Sequence, residues 1–296
     1  MSEPAAVVVC CRDRAELLEQ ALAAVNAALR PGDELVVVDS ASRDTAVETV
    51  ARAAGARYVR VDAPGLSRAR NAGWRATDRP VVLFTDDDCL PAPGWVAAGA
   101  EALAVTGVGV VWGPVAAEAS DGGLVLSTLD DSPAEVTLAD DLASVAHGAN
   151  LGFRRTALTD IDGCDELLGT GAVFGAGEDK DLLWRAMRAG WRAQFAPAMT
   201  VGHVQWRGDL AALRVMYRYG LGAGAVAVKR RRMDGAHGQV WSEVLRHGIR
   251  HGRRSLLRRR YGDAAAAAVR SAGVIAGAWR ASRLEIDSSG HLRATG

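Results

Sequence analysis

Val81-Val82-Leu83-Phe84-Thr85-Asp86-Asp87-Asp88-Cys89 runs from four apolar residues, through one threonine, into three consecutive carboxylates. The apolar part is short, β-branched and opened by Pro80, which reads as a buried strand. Adjacent carboxylates repel one another and gain nothing from an apolar core. A solvated acidic turn tolerates them, and a divalent cation offsets their cost. Alternate residues of an extended backbone project to one side, so Asp86 and Asp88 are expected to approach one ion together.

Upstream, the chain alternates between two periods. Ala5–Cys11, Glu34–Asp39, Ala56–Val61 and Pro80–Thr85 read as strands. Between them, Arg14–Leu29, Asp44–Ala54 and Ser67–Ala76 read as helices, the first with Leu17, Leu18, Ala21, Leu22 and Val25 at helical spacing. Strands alternating with helices of this length predict βαβ units and an α/β fold with a mostly parallel, Rossmann-like sheet covered on both faces. Ligands of such sheets bind at the carboxyl ends of the strands, so the polar residues there are the ones to follow.

Downstream the pattern loosens. Ala104–Val115 and Val145–Phe153 read as further strands, joined by the Gly- and Asp-rich stretch Asp121–Asp141. Glu178–Ala189 reads as a helix with an Asp181–Arg185 pair at i,i+4. From Leu210 the pattern is helical, and the last ten residues read as frayed. Two domains are expected, 1–209 and a helical, basic extension over 210–296.

Composition narrows the class. The 296 residues are 49% hydrophobic and 24% charged, enough apolar material for a packed core. Lys plus Arg and Asp plus Glu are each 35, so no overall field points to nucleic acid. Cys10, Cys11, Cys89 and Cys164 lack C-x-x-C spacing, which predicts reduced thiols rather than a zinc ribbon or disulfide framework. Neither a signal peptide nor a membrane span is read: Ala97–Ala117 is interrupted by Glu101 and Pro114, and Ala264–Trp279 by Arg270. A cytoplasmic protein is expected, in peripheral contact at most with the inner face of the membrane.

Further candidates stand beside the acidic triple. Asp39 ends the second strand, where a carboxylate can accept from a nucleobase or ribose; a turn-forming role before Ser40 is the alternative. Gly65-Leu66-Ser67-Arg68-Ala69-Arg70-Asn71-Ala72-Gly73 opens a helix with two arginines, suited to a phosphate or base edge, or simply an exposed basic turn. Glu178 and Asp179 begin a helix, where a carboxylate either caps the dipole or serves as a general base. His203 and Trp206 follow in Gly202-His203-Val204-Gln205-Trp206, each equally readable as core packing.

In this order the segments resemble the family 2 inverting glycosyltransferases, which have a GT-A fold, a Rossmann-like mixed, mostly parallel sheet flanked by helices; the likeness covers nearly all of residues 5–210. It is carried by Val37-Val38-Asp39-Ser40-Ala41-Ser42-Arg43-Asp44, by Ala69-Arg70-Asn71 between Gly65 and Gly73, and by Asp86-Asp87-Asp88 as the D-x-D motif. Asn150 with Arg154, and then Gly177–Arg185, complete it. Cys10-Cys11-Arg12-Asp13 departs from the family's usual first-strand ending.

The resemblance implies a metal-dependent transfer of sugar from a nucleotide-sugar, a UDP-sugar foremost, to an acceptor hydroxyl or amine. Asp39 would hold the base, with Arg68, Arg70, Asn71 and Asp87 around the nucleotide. Asp86 would meet the ribose or metal-bound water. Asp88 would ligate Mg2+ or Mn2+, with His203 returning to the same ion. Asp179 would be the general base, Glu178 would orient the site, and Trp206 would cover the sugar or acceptor. A sugar-nucleotide pyrophosphorylase would need a Gly-rich loop after the first strand, and Cys10–Arg14 has no glycine. A nucleotide-sugar-binding protein without activity would be expected to lose the acidic triple or the base.

The C-terminal region carries its own question. Between Arg207 and Tyr261 stand fourteen Lys/Arg against three Asp/Glu, with His237, His247 and His251. Lys229-Arg230-Arg231-Arg232 and the later arginines read as a solvated helical face or as a contact with an anionic acceptor or membrane surface.

Overall fold

The structure, a computed structural model, describes residues 3–118, 128–129, 131–138, 142, 145–204, 209–236, 238–244, 249, 253, 257 and 261–294. By its internal contacts the chain forms two compact units. One comprises residues 1–164 and 182–206, the other residues 165–181 and 207–296.

In the first unit, β1 (Ala5–Cys11), β2 (Glu34–Ser40), β3 (Arg57–Val61) and β4 (Val81–Asp86) alternate with α1 (Ala15–Ala28), α2 (Ala46–Ala53) and α3 (Leu66–Arg75). These four strands are parallel, as expected, in the order β3-β2-β1-β4. All seven residues of β1 are buried, the signature of a strand covered on both faces. Gly73 lets α3 lie directly on the sheet, because a Cβ there would collide with Val8.

The remainder of the sheet departs from the sequence reading. After the short β5 (Cys89–Pro91), α4 (Trp95–Ala104) occupies the start of the expected strand Ala104–Val115. Only β6 (Val108–Trp112) joins the main sheet there, while β7 (Val115–Glu118) belongs to a second one. Past β8 (Glu135–Val136), the strand expected over Val145–Phe153 is β9 (Asn150–Arg154). It lies antiparallel between β4 and β6, so the sheet is mixed. Apolar periodicity marks a strand but not its direction; the mixed, mostly parallel sheet is the one the GT-A resemblance implies.

After α5 (Arg155–Asp160), α6 (Glu178–Arg188) begins in the second unit and finishes in the first, followed by β10 (Arg192–Phe195) and β11 (Val201–Val204). The main sheet closes as β9-β6-β10-β8. The second, small sheet is β5-β11-β7. Asn150 joins the two: its amide donates to the carbonyls of Pro114 and Met199 and accepts from Trp95 Nε1 at 2.8 Å.

The second unit is built on α7 (Asp209–Asp234), α8 (Gln239–Glu243) and α9 (Tyr261–Ala281). Gly220 and Gly224 on α7 face Gly273 and Gly277 on α9, and a Cβ at any of them would strike backbone of the other helix. The helices therefore meet backbone to backbone. The tail expected to fray is ordered instead: β12 (Glu285–Ile286) pairs antiparallel with β13 (Leu292–Arg293). Leu292 is buried in a cluster with Leu168, Phe174, Ala225, Val226, Val228 and Ala281.

Candidate active site

Parallel pairing sets three strand ends side by side. Cys11 of β1 is in register with Asp39 of β2, and Cys10 with Asp86 of β4. Two carboxylates thus flank the end of β1.

Asp39 is fully buried and well supplied with donors. Ser42 N–H donates to Oδ1 at 2.8 Å; Tyr58 Oη and Arg60 Nη1 both donate to Oδ2 at 2.7 Å. Burial alone would raise its pKa, but these bonds and the Arg60 charge hold it below the usual carboxylate range. Arg60 also donates to Ser42 O at 2.9 Å. Neither Tyr58 nor Arg60 stood out in the sequence. Their signal was register: β3 places Arg60 directly opposite Asp39.

The acidic triple does not act as a block. Rather than continuing as extended backbone, the chain turns tightly between β4 and β5, and the three carboxylates diverge. Asp86 accepts from Arg70 Nη2 at 3.1 Å. Asp87 is buried 2.5 Å from Arg14 Nη2. Burial, helped by the neighbouring Asp88 and Asp86, pushes the Asp87 carboxyl up to about 7 against the pull of Arg14. Asp88 lies 3.3 Å from Arg14 Nη1 and 3.5 Å from His203 Nε2. The expected shared projection of Asp86 and Asp88 gives way to Asp86 with Arg70, and Asp87 and Asp88 with Arg14. Arg14, at the start of α1, is a site residue that the sequence reading passed over.

His203 reaches Asp88 because β11 runs antiparallel to β5, with His203 opposite Cys89 and Val204 N–H bonded to Asp88 O at 2.9 Å. Among the described residues, Asp88, Cys89 and His203 offer one donor atom each, all within 4.8 Å of one another, and all three side chains are buried. A carboxylate with an imidazole suits Mn2+ better than Mg2+, while the adjoining thiol suits softer ions such as Zn2+. Asp88 and His203 therefore fit the cation that the resemblance implies.

The helix carrying the basic motif is turned largely inward. Arg70 is buried, spanning Asp86 and Gly148 O. Asn71 exchanges hydrogen bonds with Cys164 N–H and O and accepts from Trp74 Nε1, so its amide ties α3 to the chain beyond α5. Arg68 is half-buried in the first turn of α3. Trp206, His237, His247 and His251 lie outside the described residues.

Glu178 and Asp179 belong to the second unit. Gly177 precedes them at φ +92, and a Cβ there would press on the backbone of Gly222 in α7. Glu178 is buried, while the largely buried Asp179 carboxylate accepts from Lys180 N–H at 2.8 Å with Lys180 Nζ 3.6 Å away. Two residues on, Asp181 Oδ1 lies 2.5 Å from Lys229 Nζ, which also donates to Asp165 Oδ2 at 2.8 Å. Asp165 further accepts from Leu292 N–H. Lys229 is thus not part of a solvated basic face; it is fully buried between two carboxylates. Arg232 is engaged too, donating to the carbonyls of Ser282 and Leu284. Arg185, in the first unit, donates to the carbonyls of Ile161 and Gly163.

Residues 6–161 match the sequence profile of Glycosyl transferase family 2, and the chain belongs to that family. It is 27% identical over 202 residues to glycosyltransferase AglE of Haloferax volcanii, a match covering 64% of this chain and 63% of that protein. It is 31% identical over 150 residues to a pre-mycofactocin glycosyltransferase of Mycobacterium tuberculosis, covering 47% of this chain and 30% of that one. The matched region thus spans less than two thirds of either relative. Among solved structures, the mannosyltransferase PcManGT from Pyrobaculum calidifontis, in complex with GDP-Man and Mn2+, superposes with a TM-score of 0.63 at 19% identity, over 95% of this chain and 88% of that one. TarS of S. aureus, in complex with UDP, gives 0.56 at 15% identity, over 99% and 96%. The fold is GT-A.

Proposed function

We propose that this chain transfers a glycosyl group from a UDP-sugar to an acceptor hydroxyl or amine, with inversion, at the ends of β1, β2 and β4. The observation that carries the reading is the convergence of Asp88 and His203 beside the strand ends that hold Asp39 and Asp86. Asp88 and His203 would hold the cation, which when bound stabilises the negative charge growing on the diphosphate leaving group. Arg14 steadies Asp88 and keeps the adjoining Asp87 carboxyl paired. Asp86, partly exposed and oriented by Arg70, is available to the ribose. Asp179 accepts the acceptor's proton as its oxygen or nitrogen attacks, and Glu178 orients that turn.

Uracil is favoured by the wiring of Asp39. Oδ2 already takes Tyr58 and Arg60, Oδ1 takes Ser42 N–H, and the Ser42 side chain bonds the same carboxylate, so little acceptor capacity is left for a base. Uracil offers one N–H between two carbonyls. Guanine offers an N–H and an amino group together, which call for both oxygens of a carboxylate. The experiment is thermal denaturation with Mn2+ and either UDP or GDP. UDP is expected to raise Tm more, and an equal or larger shift with GDP would overturn the uracil assignment.

No helix among the described residues is long and apolar enough to cross a membrane. With Lys229 and Arg232 engaged internally, contact with an anionic acceptor or a membrane surface at the cytoplasmic face would rest on the exposed Arg231 and on the arginines after residue 245. Vesicle co-sedimentation with Arg253→Ser/Arg254→Ser tests this: binding to anionic vesicles should fall, and unchanged binding would retire the idea.

A further inference from the structure

Cys89 stands in an unusual place for a buried thiol. It faces His203 directly across the antiparallel β5–β11 pair, so the two side chains share one face of the small sheet. Its Sγ lies 3.8 Å from Asp88 Oδ1, and His203 Nε2 lies 3.5 Å from the same oxygen. Ligand bonds of about 2.0 Å to oxygen or nitrogen and about 2.3 Å to sulfur put tetrahedral neighbours roughly 3.3–3.6 Å apart. The spacing in this structure is within a few tenths of an ångström of that for both pairs. The other thiols are elsewhere: Cys10 and Cys11 end β1, and Cys164 follows α5.

We propose that Cys89 is a third protein ligand of this cation site, giving it an affinity for thiophilic divalent ions of the Zn2+ and Co2+ kind beyond that of an oxygen–nitrogen site. The inference rests on the metal reading above. Three protein ligands leave a position open for an oxygen of the donor diphosphate, the arrangement of a working rather than a sealed site. When the ion binds, the Cys89 S–H bond breaks and its proton passes to buffer. The sulfur lone pair forms the metal–sulfur bond, and no electrons are gained or lost. Soft thiolate ligands favour Zn2+ and Co2+ over Mn2+ and Mg2+, so free Zn2+ would displace Mn2+ and hold the site in a different state.

Titration of the full chain with Co2+ reads the sulfur directly. A thiolate-to-cobalt charge-transfer band should appear in the near ultraviolet with one ion per chain. Cys89→Ser should abolish the band while Mn2+ still binds, as followed by electron paramagnetic resonance. The Zn2+-to-Mn2+ affinity ratio should drop by about tenfold or more, the scale on which lost partners weaken metal sites. Cys89→Ala repeats the test without a hydroxyl, and thermal unfolding establishes that each variant is folded. Bound Co2+ without the band in the unsubstituted chain, or an unchanged ratio in both variants, overturns the proposal. An Asp88→Ala chain that still binds Mn2+ overturns the metal reading itself, which is a separate failure.

Discussion

Asp179 and Asp88 should fail in different ways when neutralised. Asp179→Asn keeps the shape of the side chain but cannot accept a proton, so transfer should fall by about 10²–10⁴-fold, the usual weight of a general base. UDP affinity with Mn2+ should hold, because the proposed nucleotide contacts come from other residues. A folded Asp179→Asn chain with near-normal turnover would remove the base assignment. Asp88→Ala should instead abolish Mn2+-dependent UDP binding, read by calorimetry. A third carboxylate reports on stability alone. Asp33 accepts from the N–H groups of Ala5 and Arg30 and from the Arg30 guanidinium. Burial would raise its pKa, yet these partners hold it below the ordinary value. A depressed pKa contributes stability that is present above the unfolded value of about 4 and is lost as pH falls below it. Asp33→Asn should therefore cost about 1–3 kcal/mol at neutral pH, and the gap between the two chains should close as the pH drops below that value. A gap that widens in acid would contradict the sign. Asp39, the acidic triple and the His203 segment were legible because they sit on a short apolar strand or beside one. Tyr58, Arg60 and Arg14 were not, because register and a tight turn bring them in, and neither leaves a local pattern.

Lys229 shows the same limit at the level of elements. Within Lys229-Arg230-Arg231-Arg232 it looks like one cation of a solvated run, yet α7 turns it inward to Asp165 and Asp181. Its partners are distant in sequence, so no window around α7 contains the information. Lys229→Met should leave two uncompensated buried carboxylates and destabilise the chain by about 3–5 kcal/mol. Lys229→Arg keeps the charge and should cost less, and both are read by chemical denaturation. Equal stability of Lys229→Met and the unsubstituted chain would show that the triad contributes nothing. The α7–α9 contact is a further case: Gly220, Gly224, Gly273 and Gly277 were visible as letters, but their spacing means close helix approach only once the two helices are known to be neighbours. The hairpin β12–β13 was within reach, since Asp287-Ser288-Ser289-Gly290 is a turn signal, and Asp287 accepts from the N–H groups of Ser289 and His291.

At the scale of the whole chain, the expected boundary at 209/210 falls close to the passage at 206/207, but 165–181 sits with the C-terminal helices. A chain cut after residue 209 would therefore keep Phe174, Leu168 and Asp181 while losing Val226, Val228 and Lys229, against which they pack or pair. Limited proteolysis should cleave 165–181 far faster in the truncated chain than in the full one. Equal protection in both would show that the segment holds its shape without α7.

That path through the fold also says where the protein can be recombined. Anyone grafting the second unit of a relative onto the first unit of this chain cannot make a single splice. The exchange has to carry 165–181 together with everything after 206, joined at three seams, because Gly177 was shaped against Gly222 and Asp181 against Lys229. A one-seam chimaera pairs the Gly177–Asp181 turn of one parent with the helices of another. Natural sequences that drift in this family face the same constraint, so changes around Gly177 and along α7 should be inherited together.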